Sequence, residues 1–191
     1  MKKYIIGITG ASGSIYGVRL AEEVLKRKND VFLVITENGE RVMEYETGYG
    51  LSDVIKRLSE TGNINLCGIH DIFARIASGS FKVDGMAVVP CSMGTMGCLA
   101  NGISLNLLDR AADVCIKEKR KLVLVPRETP LNTIHIENML KLSKCGVDII
   151  PAAPGFYNKP ESINDMVNFI TGKVLEHLGM ENDLYKKWGD R

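Results

Sequence analysis

Short apolar runs alternate with longer segments of helical periodicity along the chain. The runs have the length and the β-branched content of buried strands, and they span Tyr4 to Ile8, Val31 to Ile35, Met86 to Val89, Leu122 to Val125 and Val147 to Ile150. The intervening segments predict helices over Ser14 to Lys28, Glu37 to Glu46, Leu51 to Ser59, Met93 to Ala100, Leu105 to Glu118, Thr133 to Lys144 and Ile163 to Leu178. Such alternation is typical of a parallel sheet covered on both faces. The pattern therefore predicts an α/β fold with a doubly wound, mostly parallel sheet, a Rossmann-like or flavodoxin-like three-layer sandwich.

Length and charge narrow the possible classes of protein. The 191 residues suffice for one core and contain no linker or repeat, so we expect a single domain over residues 1–191. Lys and Arg number 24 against 23 Asp and Glu, and this balance attracts neither nucleic acid nor an anionic membrane. Because the first apolar run is too short for a signal peptide or a spanning helix, we expect a cytoplasmic protein.

The cysteine pattern predicts reduced thiols and no metal site. The five cysteines form no Cys-x-x-Cys pair and no metal-binding spacing with the three histidines. Cys115 and Cys145 fall within apolar helical patterns and are expected in the core. Cys91 follows a predicted strand, where a thiol is placed to contact a bound ring.

The segment after the strand Leu122 to Val125 carries the strongest chemical signal. Pro126 is expected to end the strand, so that Arg127 and Glu128 emerge at the carboxyl edge of the sheet, where ligands bind in open α/β folds. An arginine there offers a fork of donors for a phosphate, and a carboxylate beside it can hold or move a proton. The alternative is an ordinary solvated charge pair.

Three further strands end in small polar residues. The first is followed by a glycine-rich turn, Thr9 to Gly17, that opens a helix and lets backbone amides approach a phosphate. The second predicted strand ends at Thr36, a hydroxyl and helix cap, where a dinucleotide site requires an acidic residue, and this counts against NAD. A third loop, from Pro90 to Thr95, feeds hydroxyls and a glycine into another helix, although Ser92 needs no ligand to serve as an N-cap.

Several other charged and aromatic residues admit two interpretations. Arg110 and Lys117 share one face of a predicted helix and suit an anion, but flanking acidic residues make a salt-bridged surface the alternative. Glu46 ends an amphipathic helix and is either solvated or functional. We expect His135 to cap or pack the helix that begins near Thr133, and Trp188 to pack on its own domain or on a neighbouring subunit.

Taken together, these segments closely resemble the UbiX-type flavin prenyltransferases from about Lys3 to Trp188. The segments that carry the resemblance are Thr9 to Gly13, Pro90 to Ser92, Arg110 to Glu118, Val125 to Pro130, His135 to Met139 and Pro151 to Tyr157. The resemblance implies that reduced FMN and dimethylallyl monophosphate react, joining the prenyl group to N5 and C6 of the flavin. It also implies a metal-independent transferase, a dodecamer with active sites between subunits, and delivery of the prenylated FMN to a UbiD-type decarboxylase.

The resemblance assigns roles residue by residue. It implies that FMN contacts Gly10, Ala11, Ser12, Thr36, Ser92, Met93, Gly94, Thr95 and Arg127. It places the prenyl phosphate against Arg110, Lys117, Arg127, Glu128, Tyr157 and Lys173, partly across a subunit boundary. Catalytic roles fall to Ser12, Glu46, Lys117 and Glu128. Lys173 stands where some members have arginine, so the choice between a monophosphate and a diphosphate donor stays open.

Two other functions remain possible at this point. A flavin-dependent decarboxylase of cysteine-containing substrates shares the expected fold, but its Pro-x-Met-Asn-x-x-Met-Trp type motif does not occur in this chain. A flavin-carrying accessory subunit of a decarboxylase is the non-enzyme alternative, and the cluster of phosphate-binding residues argues against an inert carrier.

Overall fold

A computed structural model describes residues 1–189 and contains a six-stranded, wholly parallel sheet in the order β3-β2-β1-β4-β5-β6. The strands are β1 (Lys3–Ile8), β2 (Asp30–Ile35), β3 (Ile64–Cys67), β4 (Gly85–Cys91), β5 (Leu122–Pro126) and β6 (Asp148–Ile149). The α-helices are α1 (Ser14–Lys26), α2 (Glu37–Thr47), α3 (Leu51–Thr61), α4 (Met93–Ala100), α5 (Leu107–Lys117), α6 (Thr133–Lys144) and α7 (Ile163–His177). This is the doubly wound order of Rossmann-type sheets, which confirms the predicted fold class.

Two apolar cores cover the two faces of the sheet. One contains Val24 of α1, Leu58 of α3 and Val174 of α7, and the other contains Met96 of α4 and Leu108 of α5. The central strands are buried on both sides because alternate residues face opposite layers of helices. No helix within residues 1–189 is long and apolar enough to cross a membrane.

Three details differ from the sequence-based expectation. Strand β3 was not predicted, because as a half-exposed edge strand it has no continuous apolar run. Pro90 does not end β4: the ladder shifts register after Val88 and pairs again at Cys91 with Pro126. Cys145 is exposed and follows α6, whereas Cys115 is buried as expected.

Strands β1 and β4 lie side by side although they are far apart in sequence, and the strand order reverses between them. The Thr9 hydroxyl fastens their carboxyl ends: its Oγ1 donates to the carbonyl of Pro90 at 2.8 Å and accepts from the amide of Ser92 at 2.8 Å. The Thr9 amide donates to the same carbonyl at 3.2 Å. The loops that follow β1 and β4 are therefore held together, and in this class of sheet ligands bind in the crevice at that point.

Helix α1 approaches β4 closely because it carries Gly17. A Cβ atom at this position would lie 2.2 Å from the carbonyl oxygen of Val89 and 2.7 Å from the side chain of Ile8. Both atoms belong to the sheet, so neither can move aside cheaply. The glycine thereby sets how near the start of α1 comes to the crevice.

We expect Gly17→Ala to lower the free energy of unfolding by about 1–3 kcal/mol, because the added methyl group overpacks a rigid contact. Gly97→Ala is the matched control. This glycine also lies inside a helix, but the nearest atom to a Cβ built there is the side-chain amide nitrogen of Asn138, at 3.6 Å. The control substitution should raise the free energy of unfolding by about 0.5–1 kcal/mol. Urea denaturation checks both, and an equal response of the two variants would contradict the close contact.

Candidate functional site

The start of α4 presents hydrogen-bond donors to the crevice. Ser92 is its N-cap, with Oγ accepting from the Thr95 amide at 3.3 Å and donating to Thr95 Oγ1 at 3.1 Å. Gly94 is exposed, and the nearest atom to a Cβ built on it is 4.0 Å away. The amides of Met93 and Gly94 lie in the first helical turn, where backbone donors lack helical partners and the dipole favours an anion. This turn therefore suits a phosphate.

Thr36 begins the neighbouring helix α2 in the same way. Its Oγ1 accepts from the amide of Gly39 at 3.0 Å, as expected for an N-cap. Gly10, in the loop after β1, packs against this helix, because a Cβ at Gly10 would lie 2.7 Å from Cβ of Asn38. The predicted residues Gly10, Ala11, Ser12, Thr36 and Ser92 to Thr95 thus follow β1, β2 and β4, three adjacent strands, at one edge of the sheet.

Glu46 occupies the start of α1. Its carboxylate accepts hydrogen bonds from the Gly13 amide at 3.1 Å, from the Ser14 amide at 3.1 Å and from Ser14 Oγ at 2.8 Å. Gly13 is the N-cap of α1 and has a φ of 102°, which only glycine adopts without strain. The glycine-rich turn was expected to receive a phosphate, but these two amides are bound to a carboxylate of the same chain.

The surroundings of Glu46 hold its pKa below the ordinary value. Partial burial works to raise this pKa, but hydrogen bonds from the side chains of Ser12 and Ser14 and from the amides of Gly13 and Ser14 together outweigh it. The Ser14 hydroxyl bonds the carboxylate at 2.8 Å, and the Ser12 hydroxyl also lowers the pKa of Glu46. Glu46 is therefore ionised at neutral pH and presents a fixed negative charge at the crevice.

Arg127 and Glu128 emerge directly after β5 and are both exposed. Oε1 of Glu128 accepts from the Thr129 amide at 3.0 Å, which turns its carboxylate back towards its own loop. Strand β5 pairs with β4, so these two residues follow the strand next to the crevice, as the sequence predicted. Arg127 adds a planar cationic donor to an edge that otherwise offers amides and hydroxyls.

Lys117 does not lie near Arg127 within one chain. It is the last residue of α5, and the chain then runs through the five residues of β5 before Arg127, which spans about 17 Å. Lys117 Nζ pairs with Glu118 at 2.8 Å. Arg110, nearer the start of α5, bonds Asp113 at 2.9 Å and the Ala77 carbonyl at 3.2 Å. The structure therefore places Lys117 of the predicted phosphate cluster away from the carboxyl edge, while Arg110 is engaged by partners of its own chain.

Tyr157 and Lys173 belong to one aromatic cluster without touching each other. The ring of Tyr157 meets Phe169 at 5.8 Å, Phe169 meets Tyr185 at 5.0 Å, and Lys173 Nζ lies 5.0 Å from the centre of the Tyr185 ring. Trp188 packs edge-on against Tyr157 at 5.3 Å while remaining 81% exposed. A cavity of about 430 Å³ beside them is also lined by Asn158, Lys159, Lys186 and Lys187.

The structure contradicts the expectation for Cys91 and agrees with the one for His135. Cys91 is fully buried and its thiol donates to the carbonyl of Ser92 at 3.6 Å, so it lies within the core and cannot face a ring. Burial raises the pKa of this thiol far above its ordinary value. His135 does cap α6, since its Nδ1 accepts from the Asn132 amide at 3.4 Å. Within residues 1–189, no three His, Cys, Asp or Glu side chains are grouped as a metal site.

The specific partners of three residues around this site were not predicted from the sequence. In the sequence, Thr9 was only one residue of a glycine-rich turn, yet its hydroxyl joins β1 to β4 through two hydrogen bonds. Ser14 marked only a helix start, because its partner Glu46 is 32 residues away. Trp188 was expected to pack on protein, and it does so on Tyr157 itself. A sequence pattern along one segment does not reveal such long-range contacts.

Comparisons with known proteins show which family this chain is similar to. A family model described as Flavoprotein matches residues 1–175. The flavin prenyltransferase UbiX of Alkalihalophilus pseudofirmus is 50% identical over 190 residues, which cover 97% of this chain and 95% of that protein.

Two solved structures are also similar over nearly the whole chain. The crystal structure of AnUbiX (PadA1) in complex with FMN and dimethylallyl pyrophosphate has a TM-score of 0.93 at 36% identity, covering 98% of this chain and 97% of the other. A dodecameric FMN-dependent UbiX-like decarboxylase from Escherichia coli O157:H7 has a TM-score of 0.90 at 42% identity, covering 97% and 98%. The chain therefore belongs to the flavoprotein family and, within it, to the UbiX-type flavin prenyltransferases.

Proposed function

We propose that the protein transfers a dimethylallyl group from dimethylallyl monophosphate to N5 and C6 of reduced FMN. The observation that carries this proposal is the crevice between β1 and β4, where free amides, hydroxyls and Arg127 oppose the fixed anion Glu46. Relatives named flavin prenyltransferase share half of the sequence, and a close structural neighbour was solved with FMN and dimethylallyl pyrophosphate.

The residues of the crevice fit FMN. The first turn of α4, with Met93, Gly94 and Thr95, offers amides and a hydroxyl to the phosphate, and the open space at Gly94 lets it approach. Glu46 already binds the amides at α1 and repels a second anion there. The flavin would also contact Gly10, Ala11, Ser12, Thr36, Ser92 and Arg127. When bound, reduced FMN supplies the two nucleophilic ring atoms of the reaction.

The aromatic cluster and the cations suit the prenyl donor. The faces of Tyr157 and Trp188 can shelter an allylic group that develops positive charge, because aromatic rings attract cations. Arg127 and Lys173 would bind the phosphate and stabilise its charge as it departs, with the hydroxyl of Tyr157 as a further donor. Lys173 is drawn towards Glu176 at 3.4 Å in the free chain, so it must turn away from that partner to reach a phosphate.

The two carboxylates have different roles in this proposal. Glu46 stays ionised because of its four donors, and it stabilises positive charge near the flavin. Glu128 is exposed beside Arg127 and is free to accept or return a proton. The hydroxyl of Ser12 lies near Glu46 and could relay a proton between the site and solvent.

The site requires a second copy of the chain. Lys117 ends α5 and precedes β5, whereas Arg127 follows β5, so we propose that Lys117, together with Arg110 of the same helix, completes the phosphate site of a neighbouring subunit. A similar structure is dodecameric, and we propose the same assembly here. Helix α6 and the loop before it expose Leu131, Ile134, Ile136 and Leu140, apolar surface of the kind that subunits cover.

The product of this reaction is a modified cofactor, so a consumer must exist. We propose that prenylated FMN made by this single flavin-binding domain passes to a UbiD-type decarboxylase. The chain has no motif of the cysteine decarboxylases, and its relatives at 47–51% identity are named flavin prenyltransferases, which disfavours that alternative.

One reaction separates these possibilities. Purified protein is incubated without oxygen with reduced FMN and dimethylallyl monophosphate, and the released flavin is analysed by mass spectrometry. A mass increase of one prenyl group is the expected result, and the pyrophosphate is tested in parallel. Unmodified flavin with both donors would contradict the proposed function and favour an accessory carrier.

The FMN site makes a separate prediction. We expect Thr95→Val to weaken FMN binding about tenfold or more, because a hydroxyl that bonds a charged phosphate is lost. Thr171→Val is the matched control, since Thr171 is buried in α7 and its hydroxyl has no hydrogen-bond partner among the described residues. Titration monitored by flavin fluorescence measures both affinities, and equal affinities of the two variants would contradict this placement.

A site shared between subunits predicts complementation. Lys117→Ala and Arg127→Ala should each abolish prenylation as pure assemblies. When differently tagged subunits of the two variants are co-expressed, about one quarter of the sites combine an intact Arg127 with an intact Lys117 from a neighbour, assuming random mixing. We therefore expect about a quarter of the wild-type rate from mixed assemblies.

The control mixes Arg127→Ala with Glu128→Gln. These adjacent residues belong to the same chain, so every site keeps one defect and activity should stay absent. If neither mixture were active, the shared site would be contradicted. A full rate from the pure Lys117→Ala protein would show that Lys117 has no role in the reaction.

A further inference from the structure

The hydroxyl of Ser14 has an unusual position for a serine at a helix start. A serine normally caps its own helix from the N-cap position, but here the N-cap of α1 is Gly13, which makes no side-chain cap. Ser14 is the first residue of the helix and is fully buried. Its hydroxyl donates instead to Glu46 at the end of α2, at 2.8 Å.

Glu46 in turn replaces the missing cap. One of its oxygens, Oε2, accepts from the Ser14 hydroxyl and from the amides of Gly13 and Ser14. Backbone amides would bind a carboxylate in several orientations, whereas three donors converging on one oxygen fix its torsion. The other oxygen, Oε1, keeps a single bond to Gly13 at 3.1 Å and is the one left for the crevice.

We propose that Ser14 is a positioning residue for the prenyl transfer: it holds Glu46 against the start of α1 so that Oε1 faces the crevice as a fixed anion. The inference rests on the proposed function, because Glu46 acts on the reaction only if the crevice holds the flavin. No pattern within either segment links the two residues, since they are 32 positions apart.

Other charged groups around Glu46 are engaged elsewhere. On α1, Arg19 pairs with Glu22 and Glu23; on α3, Asp53 accepts from the Gly50 amide and Arg57 bonds Glu22. On α2 itself, Glu37 pairs with His70, while Glu40, Arg41 and Glu44 are exposed. The hydroxyl and amide donors are therefore the contacts that set the state of Glu46. The bound flavin also titrates, but its contribution to the pH profile is common to every variant.

The test compares the pH dependence of kcat for the wild-type protein, Ser14→Ala and Ser14→Thr in the mass-spectrometric prenylation assay. Activity that needs ionised Glu46 is present above its pKa and is lost as the pH falls through it. The acid limb of the profile is the pH range over which kcat falls on acidification. Ser14→Ala should shift this acid limb to higher pH by about one pH unit, equivalent to about 1.4 kcal/mol. Ser14→Thr keeps the hydroxyl and should restore the wild-type limb. In a Glu46→Gln background, Ser14→Ala should have no further effect on the profile.

Ser162→Ala is the matched control. Ser162 also donates its hydroxyl to a carboxylate at a helix start, to Asp165 at 2.9 Å, but at α7. Both carboxylates have lowered pKa values, so each serine contributes stability that is present at neutral pH and lost on acidification through the folded pKa. Both alanine variants should therefore melt below the wild type at neutral pH and approach it in acid, whereas only Ser14→Ala should shift the catalytic limb.

The outcomes separate the two proposals. An unchanged acid limb in Ser14→Ala that still turns over would overturn the positioning role and leave the proposed function intact. Failure of Ser14→Thr to restore the limb would also overturn it, since the hydroxyl would then not be the active feature. A wild-type protein that prenylates no flavin at any pH would contradict the proposed function and the catalytic role of Ser14, and the melting curves would still decide whether Ser14 holds Glu46.

Discussion

The contact on which the site depends is the pair of hydrogen bonds that Thr9 makes across the point where the strand order reverses. In a doubly wound sheet the loops after β1 and β4 diverge towards opposite layers of helices, and a crevice opens between them. Thr9 bonds the Pro90 carbonyl and the Ser92 amide, and so fixes the distance between the two loops. Gly17 lets α1 approach the same place. The start of α1 and the start of α4 are thereby held as two rigid walls.

These walls carry different charge. The amides at α1 are neutralised by Glu46, which makes that wall anionic towards the crevice, while the first turn of α4 keeps free donors. Arg127 follows the next strand and adds positive charge on the α4 side. A ligand with a phosphate at one end and a ring that becomes electron-poor at the other matches this polarity. In the proposed function, the α4 side of the crevice anchors the flavin and the α1 side stabilises positive charge on it.

The periodicity of apolar residues was enough to predict the layers of the fold, because buried parallel strands appear in a sequence as continuous apolar runs. The periodicity did not predict β3, because an edge strand has no continuous apolar run. It also placed the end of β4 too early, because a proline can lie at a register shift within a strand. The residues at the strand ends were recognisable by type, as with Ser92 and Arg127. Contacts such as Ser14 with Glu46 were not, since they depend on how two helices pack. The resemblance to a family supplied roles for Tyr157 and Lys173 that spacing alone does not suggest.

In the proposed function one chain presents an incomplete site, because Lys117 precedes β5 and Arg127 follows it. The most direct measurement is an experimental structure of the assembled protein with FMN and dimethylallyl phosphate bound. The account predicts Lys117 of one subunit and Arg127 of another within hydrogen-bond distance of the same phosphate, with Glu46 still bound to Ser14. A phosphate held by residues of a single subunit, with Lys117 facing solvent, would contradict it.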